Sequence, residues 1–321
     1  MEVFKLNLDD GGVLTGRLAL PSKKPPTQFV PLLVCLHGGT YDSEYFDASP
    51  ECSIGQISDA LQVPVIAIDR PGYGEGHHHV PPATTEVTYA QQQGRYINTK
   101  LLPALWRKYQ PKSGATSIVI MGHSVGAMMA TVAVGSYVGT EGYPLAGIIT
   151  SGIGAEHDPA VSANLKSMVK PGTQSLTFDP ALKDAMTRPQ GRHLADPAVT
   201  KSCARLNRPV PVGELMDINT TWSLYWHRYS KAVQVPLMYG LSEFDGLWTS
   251  TPEMVLKYRD SFPSSPRIEC GIVPQAPRCI EHSYQSRGWL TRCVGFALEC
   301  AVWYALKDSL IRRPVVDGEG V

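Results

Sequence analysis

Ser117-Ile118-Val119-Ile120-Met121-Gly122-His123-Ser124-Val125-Gly126-Ala127-Met128-Met129-Ala130 is the stretch on which the fold turns. Ser117 to Met121 is a short apolar run of the kind found in strands covered on both faces, and Ala127 to Ala130 opens a helical pattern. Between them, Gly122-His123-Ser124-Val125-Gly126 matches G-x-S-x-G. A serine held on a strained strand-to-helix turn needs small flanking residues, hence glycine on both sides. The helix N-terminus behind it favours developing negative charge. The stretch therefore predicts Ser124 as a nucleophile.

Working outward, Val3 to Leu8 and Val13 to Leu20 alternate apolar and polar residues around Asp9-Asp10-Gly11-Gly12, which predicts a half-buried hairpin. Pro31 to Leu36, Val63 to Ile68, Ala146 to Thr150, Val235 to Tyr239 and Arg267 to Val273 supply further strands. Helical patterns fall at about Glu86 to Tyr109, Val125 to Val138, Pro252 to Arg259, and Ser283 to about Leu310. Alternating β and α segments imply an α/β fold, a mostly parallel central sheet with helices on both faces. Ala155 to Ala232 breaks the alternation and reads as an inserted cap, so residues 1–154 and 233–321 form the core and 155–232 the cap. In the cap, Trp222, Tyr225, Trp226 and Tyr229 would share one helical face, either packed on the body or roofing an apolar ligand. The tail after Arg313 reads as frayed.

The 321 residues are 43% hydrophobic and 18% charged, an ordinary globular mixture, with 29 basic and 29 acidic side chains. No net field is available for nucleic acid or an anionic membrane, and anionic substrates such as phosphates are expected to bind poorly. The most apolar stretch, Cys293 to Leu306, is interrupted by Glu299 and falls short of the ~20 residues a membrane span needs. Acids stand in the opening decapeptide where a secretion signal would be basic and then apolar. The seven cysteines include no C-x-x-C pair, which points to a reducing, cytoplasmic location.

His37-Gly38-Gly39-Thr40 ends the strand at Leu36, and a glycine-rich turn there can aim N–H groups of Gly39 or Thr40 at an oxyanion, with the Val125 N–H as second donor. Together with Asp69-Arg70-Pro71-Gly72-Tyr73-Gly74 after the next strand, these motifs resemble the α/β-hydrolase fold and superfamily. More narrowly, His37-Gly38-Gly39-Thr40-Tyr41-Asp42-Ser43 and Gly295-Phe296-Ala297-Leu298-Glu299-Cys300-Ala301 resemble hydrolase-like proteins of fungal natural-product clusters. The superfamily resemblance implies that the catalytic acid follows the strand after the cap. Asp245 fits that slot, with Glu243 as the fallback. It also implies the chain order serine, acid, histidine, and His282 is the one histidine beyond Asp245. The family histidine slot itself is occupied by Pro277-Arg278, and arginine stays protonated and cannot act as a base.

These residues lead to the expectation of a Ser124–His282–Asp245 triad hydrolysing an ester, thioester or lactone of a medium-sized apolar, polyketide-like substrate, with no metal or organic cofactor. Tyr41, Tyr73, Trp222 and Trp226 would contact the substrate. The alternatives are a non-hydrolytic cyclase, lyase or isomerase of secondary metabolism on the same fold, or a non-catalytic ligand-binding protein. His77-His78-His79 reads as a solvated loop rather than a metal cluster, and His157 as surface polar, although it follows a strand end that borders the cleft.

Overall fold

The computed structural model describes residues 1–23, 27–185 and 189–307, so the tail after Arg313 lies outside the described residues. The elements run β1 (Glu2–Asn7), β2 (Val13–Ala19), β3 (Pro31–Leu36), α1 (Ile54–Leu61), β4 (Val65–Ile68), α2 (Tyr89–Tyr96), α3 (Leu102–Ser113), β5 (Ser117–His123), α4 (Val125–Gly135) and β6 (Leu145–Ser151). After β6 come α5 (Pro159–Ser167), β7 (Ser175–Leu176), α6 (Pro180–Ala185), α7 (Pro197–Ser202), β8 (Val210–Pro211), α8 (Val212–Met216) and α9 (Trp222–Ser230). The chain closes with β9 (Leu237–Phe244), α10 (Pro252–Arg259), β10 (Ile268–Pro277) and α11 (Ser286–Leu306).

Eight strands form one sheet in the order β1-β2-β4-β3-β5-β6-β9-β10. The β1–β2 and β2–β4 pairs are antiparallel and the rest parallel. Every residue of β3 and β5 is buried. The reason is visible in how their side chains divide: Leu32, Val34, Ile118 and Ile120 join the core on one face, while Leu33, Cys35, Val119 and Met121 join the core on the other. The first core is closed by α2, α4 and α9 and the second by α1 and α11. Each such fully buried aliphatic side chain contributes about 1.5–3 kcal/mol.

Ser124, between β5 and α4, has φ 54° and ψ −121°. Its neighbours are glycines because the chain there touches other backbone. A Cβ on Gly126 would stand 2.1 Å from the Leu36 carbonyl oxygen, and one on Gly122 would stand 2.5 Å from that of Gly126. The sheet thus pushes β3, β5 and the start of α4 together, and the serine is displayed at the sheet's carboxyl edge.

Of the two readings of the aromatic stripe, packing on the body is the one observed, and the expected substrate contacts of Trp222 and Trp226 are corrected. Trp222, Trp226 and Tyr229 are buried in the core of the body, not over a ligand. Trp226 stacks on Tyr258 of α10 with ring centroids 5.3 Å apart, and α9 lies so close to α4 that a Cβ on Gly135 would meet the Tyr229 backbone at 2.4 Å. Amphipathic period specifies that one face is buried, and here what covers it is α4 and α10. Trp222 and Trp226 do not line the cavity described below.

Candidate active site

A cavity of about 340 Å³ opens above the carboxyl ends of β3, β5 and β9. Its floor includes Gly39, Ser124, Val125, Asp245 and Arg278, and its walls are apolar side chains of the segment between β6 and β9, among them Val161, Leu165, Phe178, Val210, Leu215 and Ile218. Leu165, Phe178, Val210 and Leu215 form a small hydrophobic cluster of their own. His157 and Tyr41 also line the space.

On the floor, Arg278 stands where the sequence order calls for a histidine. One terminal nitrogen donates to Asp245 Oδ1 at 2.6 Å and the other to Ser124 Oγ at 2.5 Å. Arg278 is 3% exposed and Asp245 4%. The guanidinium offers the serine and the acid an N–C–N unit, as an imidazole would, but every nitrogen is a donor and none can take a proton. Asp245 is held in turn by the Ser242 hydroxyl at 3.2 Å and by the backbone N–H groups of Leu247 and Trp248, each at 3.1 Å. Among the described residues, the Ser124 hydroxyl proton has no acceptor, so it is available to a ligand.

The structure does not bring His282 to this floor, which corrects its expected role as the base. β10 shifts register between Val273 and Pro277 and delivers Arg278 to the sheet edge, and the following turn, Ile280–His282, carries the histidine down into the core. There its Nε2–H donates to the Tyr45 carbonyl at 2.7 Å, and its ring lies 4.2 Å from that of Tyr45. Burial lowers its pKa to about 4. Order along the chain had singled out His282, but order is silent on how far a loop carries a side chain.

The turn after β3 is built to present N–H groups. Arg70 donates from Nε to the His37 carbonyl at 2.7 Å and from a terminal nitrogen to the Gly38 carbonyl at 3.1 Å. A trans peptide points its N–H opposite its carbonyl, so pinning the Gly38 carbonyl directs the Gly39 N–H the other way. Thr40, by contrast, sits at φ 65° and gives its N–H to Tyr73 Oη at 3.3 Å, which removes it as an oxyanion donor. Tyr73 itself is not in the cavity wall. Its hydroxyl donates to Glu214 at 2.7 Å and its ring packs edge-on against His37, so its expected substrate contact is replaced by a supporting one. Tyr41 does reach the cavity.

Several functional-looking residues were given no role by the sequence, and His157, expected to be surface polar, is instead half-buried in the cavity lining. Glu214 of α8 forms a two-pronged, fully buried ion pair with Arg70, at 2.7 and 3.0 Å, and ties the wall-bearing segment to the oxyanion turn. Lys183 of α6 is buried and donates to Thr40 O at 3.0 Å and Oγ1 at 2.6 Å, with its ammonium 3.0 Å from the centre of the Tyr41 ring. Burial brings its pKa down to about 7. His123, inside the G-x-S-x-G motif, donates from Nδ1 to Ser151 Oγ at 3.0 Å, and Ser151 donates to Glu281 at 2.6 Å. Burial holds His123 well below the usual histidine range, hence neutral. His157 stacks on Trp248 at 3.6 Å and gives its Nε2–H to the Ile218 carbonyl at 2.8 Å, with burial lowering its pKa to about 4. Among the described residues no cluster of three metal-ligating side chains occurs, and no helix is long and apolar enough to cross a membrane.

The model of the Alpha/beta hydrolase family matches residues 33–276. Solved structures with similar coordinates include a highly thermostable carboxyl esterase from Bacillus coagulans (15% identity, 94% of this chain and 98% of that one, TM-score 0.62). A thermophilic esterase from Thermogutta terrifontis (16%, 94% and 99%, TM-score 0.56) and a proline iminopeptidase from Mycobacterium smegmatis (15%, 94% and 99%, TM-score 0.58) are also similar. At these identities the likeness is one of fold. No curated protein matches the sequence.

Proposed function

The chain belongs to the alpha/beta hydrolase family, and from that premise we propose that its cavity polarises the carbonyl of a medium-sized apolar compound without using Ser124 as a hydrolytic nucleophile. The chemistry is that of a cyclase, lyase or isomerase. One observation carries this reading: Arg278 fills the space between Ser124 and Asp245, hydrogen-bonded to both. A serine hydroxyl needs a neighbouring base near neutral pKa to attack a carbonyl, and a guanidinium in that place cannot serve.

What remains is a site for charge. Gly39, Val125 at the N-terminus of α4, and Arg278 all line the cavity with Ser124, and their N–H groups are the donors that would meet negative charge developing on a carbonyl oxygen. Apolar walls favour a substrate with a hydrophobic body, which agrees with the polyketide-like class suggested by the narrower resemblance. Asp245 acts as the fixed counter-ion that orients the guanidinium.

Hydrolysis of p-nitrophenyl butyrate and of an apolar thioester, compared between the wild type and Ser124→Ala, tests the reading. Equal, background rates are expected. Wild-type hydrolysis at least tenfold faster than that of Ser124→Ala would return the site to serine hydrolysis.

A further inference from the structure

The polar groups on the cavity floor are unbalanced in kind. Arg278 has five N–H donors, of which one goes to Asp245 and one to Ser124. Asp245, the carboxylate at the same place, is already engaged by Arg278, the Ser242 hydroxyl and two backbone N–H groups. Ser124 Oγ is an acceptor already used, which leaves its hydroxyl as a donor. The Gly39 and Val125 N–H groups are donors as well. A ligand reaching this floor therefore meets donors from the arginine, the serine and the backbone, while the one carboxylate beside it is spoken for.

Charge follows the same sense. Arg278 and Asp245 cancel one another in formal charge, but Asp245 is engaged through one terminal nitrogen while the other faces Ser124, and the start of α4 adds the partial positive charge of a helix N-terminus. The protein's zero net charge is irrelevant at this range, because a guanidinium at hydrogen-bond distance outweighs the distant surface charges that water screens. The expectation that anions bind poorly, drawn from net charge, does not transfer to this floor.

We propose that the natural ligand ends in two oxygens sharing one negative charge, either a carboxylate or the enolate of a 1,3-dicarbonyl, set against Arg278 and the Ser124 hydroxyl with its apolar body along the Leu165–Phe178–Leu215 wall. Arginine is suited to that head group because three N–H groups of the same planar guanidinium remain after Asp245 and Ser124 are served, where a lysine would offer a point charge. The proposal deepens the non-hydrolytic reading of the same site and rests on it. It is read by binding alone, so its failure is separable from the failure of that reading, which ester turnover reports.

Calorimetric titration of the full chain with 4-phenylbutyrate, 4-phenylbutanamide and 1-phenylbutane-1,3-dione tests it. The amide keeps the shape and the carbonyl but not the charge, and the diketone reports its enolate by an ultraviolet absorbance shift. At least one of the two anion-forming ligands should bind tenfold or more tightly than the amide. If the acid alone is preferred, the head group is a carboxylate; if the diketone binds with the enolate spectrum, it is an enolate. Arg278→Met should abolish the preference, Arg278→Lys should keep part of it, and Ser124→Ala should lower it only a few-fold. Arg278→Lys also supplies the answer if the methionine variant does not fold. Amide binding equal to that of both others, no binding of any of the three, or a full preference surviving in either Arg278 variant would overturn the proposal.

Discussion

Replacing Arg278 by methionine removes the group that both orients Asp245 and caps Ser124, and its cost can be worked from the contacts. Two short hydrogen bonds are lost, at 2.6 and 2.5 Å, from a pair that is almost wholly buried. Breaking a buried ion pair by deleting one partner costs about 3–5 kcal/mol, because the remaining charge is left without compensation. Asp245 would retain two backbone N–H donors and the Ser242 hydroxyl, and methionine would refill part of the space, which places the loss at the lower end, about 3 kcal/mol. Arg278→Met/Asp245→Asn should recover most of it, since a neutral amide keeps an acceptor for the Leu247 and Trp248 N–H groups and buries no unpaired charge. A coupling of about 2 kcal/mol between the two sites is expected from urea unfolding at pH 7. A single variant within 1 kcal/mol of the wild type, or a double variant no more stable than the single, would show that the guanidinium is not seated between the serine and the acid.

Other predictions follow from two buried titratable side chains. The folded pKa of His282 is about 4, below its ordinary value, so the unfolded chain takes up the proton first. The stability this histidine contributes is present above about pH 6.5 and falls by about 3 kcal/mol as pH drops toward 4. His282→Gln, which keeps a donor for the Tyr45 carbonyl, should lose correspondingly less between pH 6.5 and 4 in denaturant titrations while binding 4-phenylbutyrate as the wild type does. Parallel stability curves, or lost binding, would argue against a purely structural histidine. Lys183 is neutral in the fold above about pH 7 and still protonated in the unfolded chain, so wild-type stability should rise by about 2 kcal/mol relative to Lys183→Met between pH 7 and 9. A constant difference across that range would mean that Lys183 stays charged against Thr40.

The sheet was legible because its central parallel strands are buried on both faces and so appear as short apolar runs, and these runs, from Pro31 to Tyr239, overlap strands; the edge strand β10 is only half-buried. Ser124 could be placed because its motif encodes steric needs: Gly122 and Gly126 have no room for a Cβ. Three things escaped. The π-helical turn at Asp217–Thr221 interrupts its helix without a breaker residue, and the one at Ile97–Leu101 has its cue in Pro103, whose missing N–H leaves the Thr99 carbonyl without its usual partner. The stripe from Trp222 to Tyr229 has the period of a buried face, yet period does not name the partner, and α4 with α10 covers it. The site's ion pairs, Arg70–Glu214 and Arg278–Asp245, join residues 144 and 33 positions apart, a relation that only the folded chain displays. Arg278 itself was visible in the family's histidine slot, whereas its two hydrogen bonds appear only in the folded chain.

The central claim is that Ser124 is a held hydroxyl and not an activated nucleophile. Treating the wild-type protein with a fluorophosphonate and mapping adducts by peptide mass spectrometry tests it most directly. Ser124 should remain unmodified under conditions that fully label a serine esterase in the same tube. Stoichiometric phosphonylation of Ser124 would contradict the account.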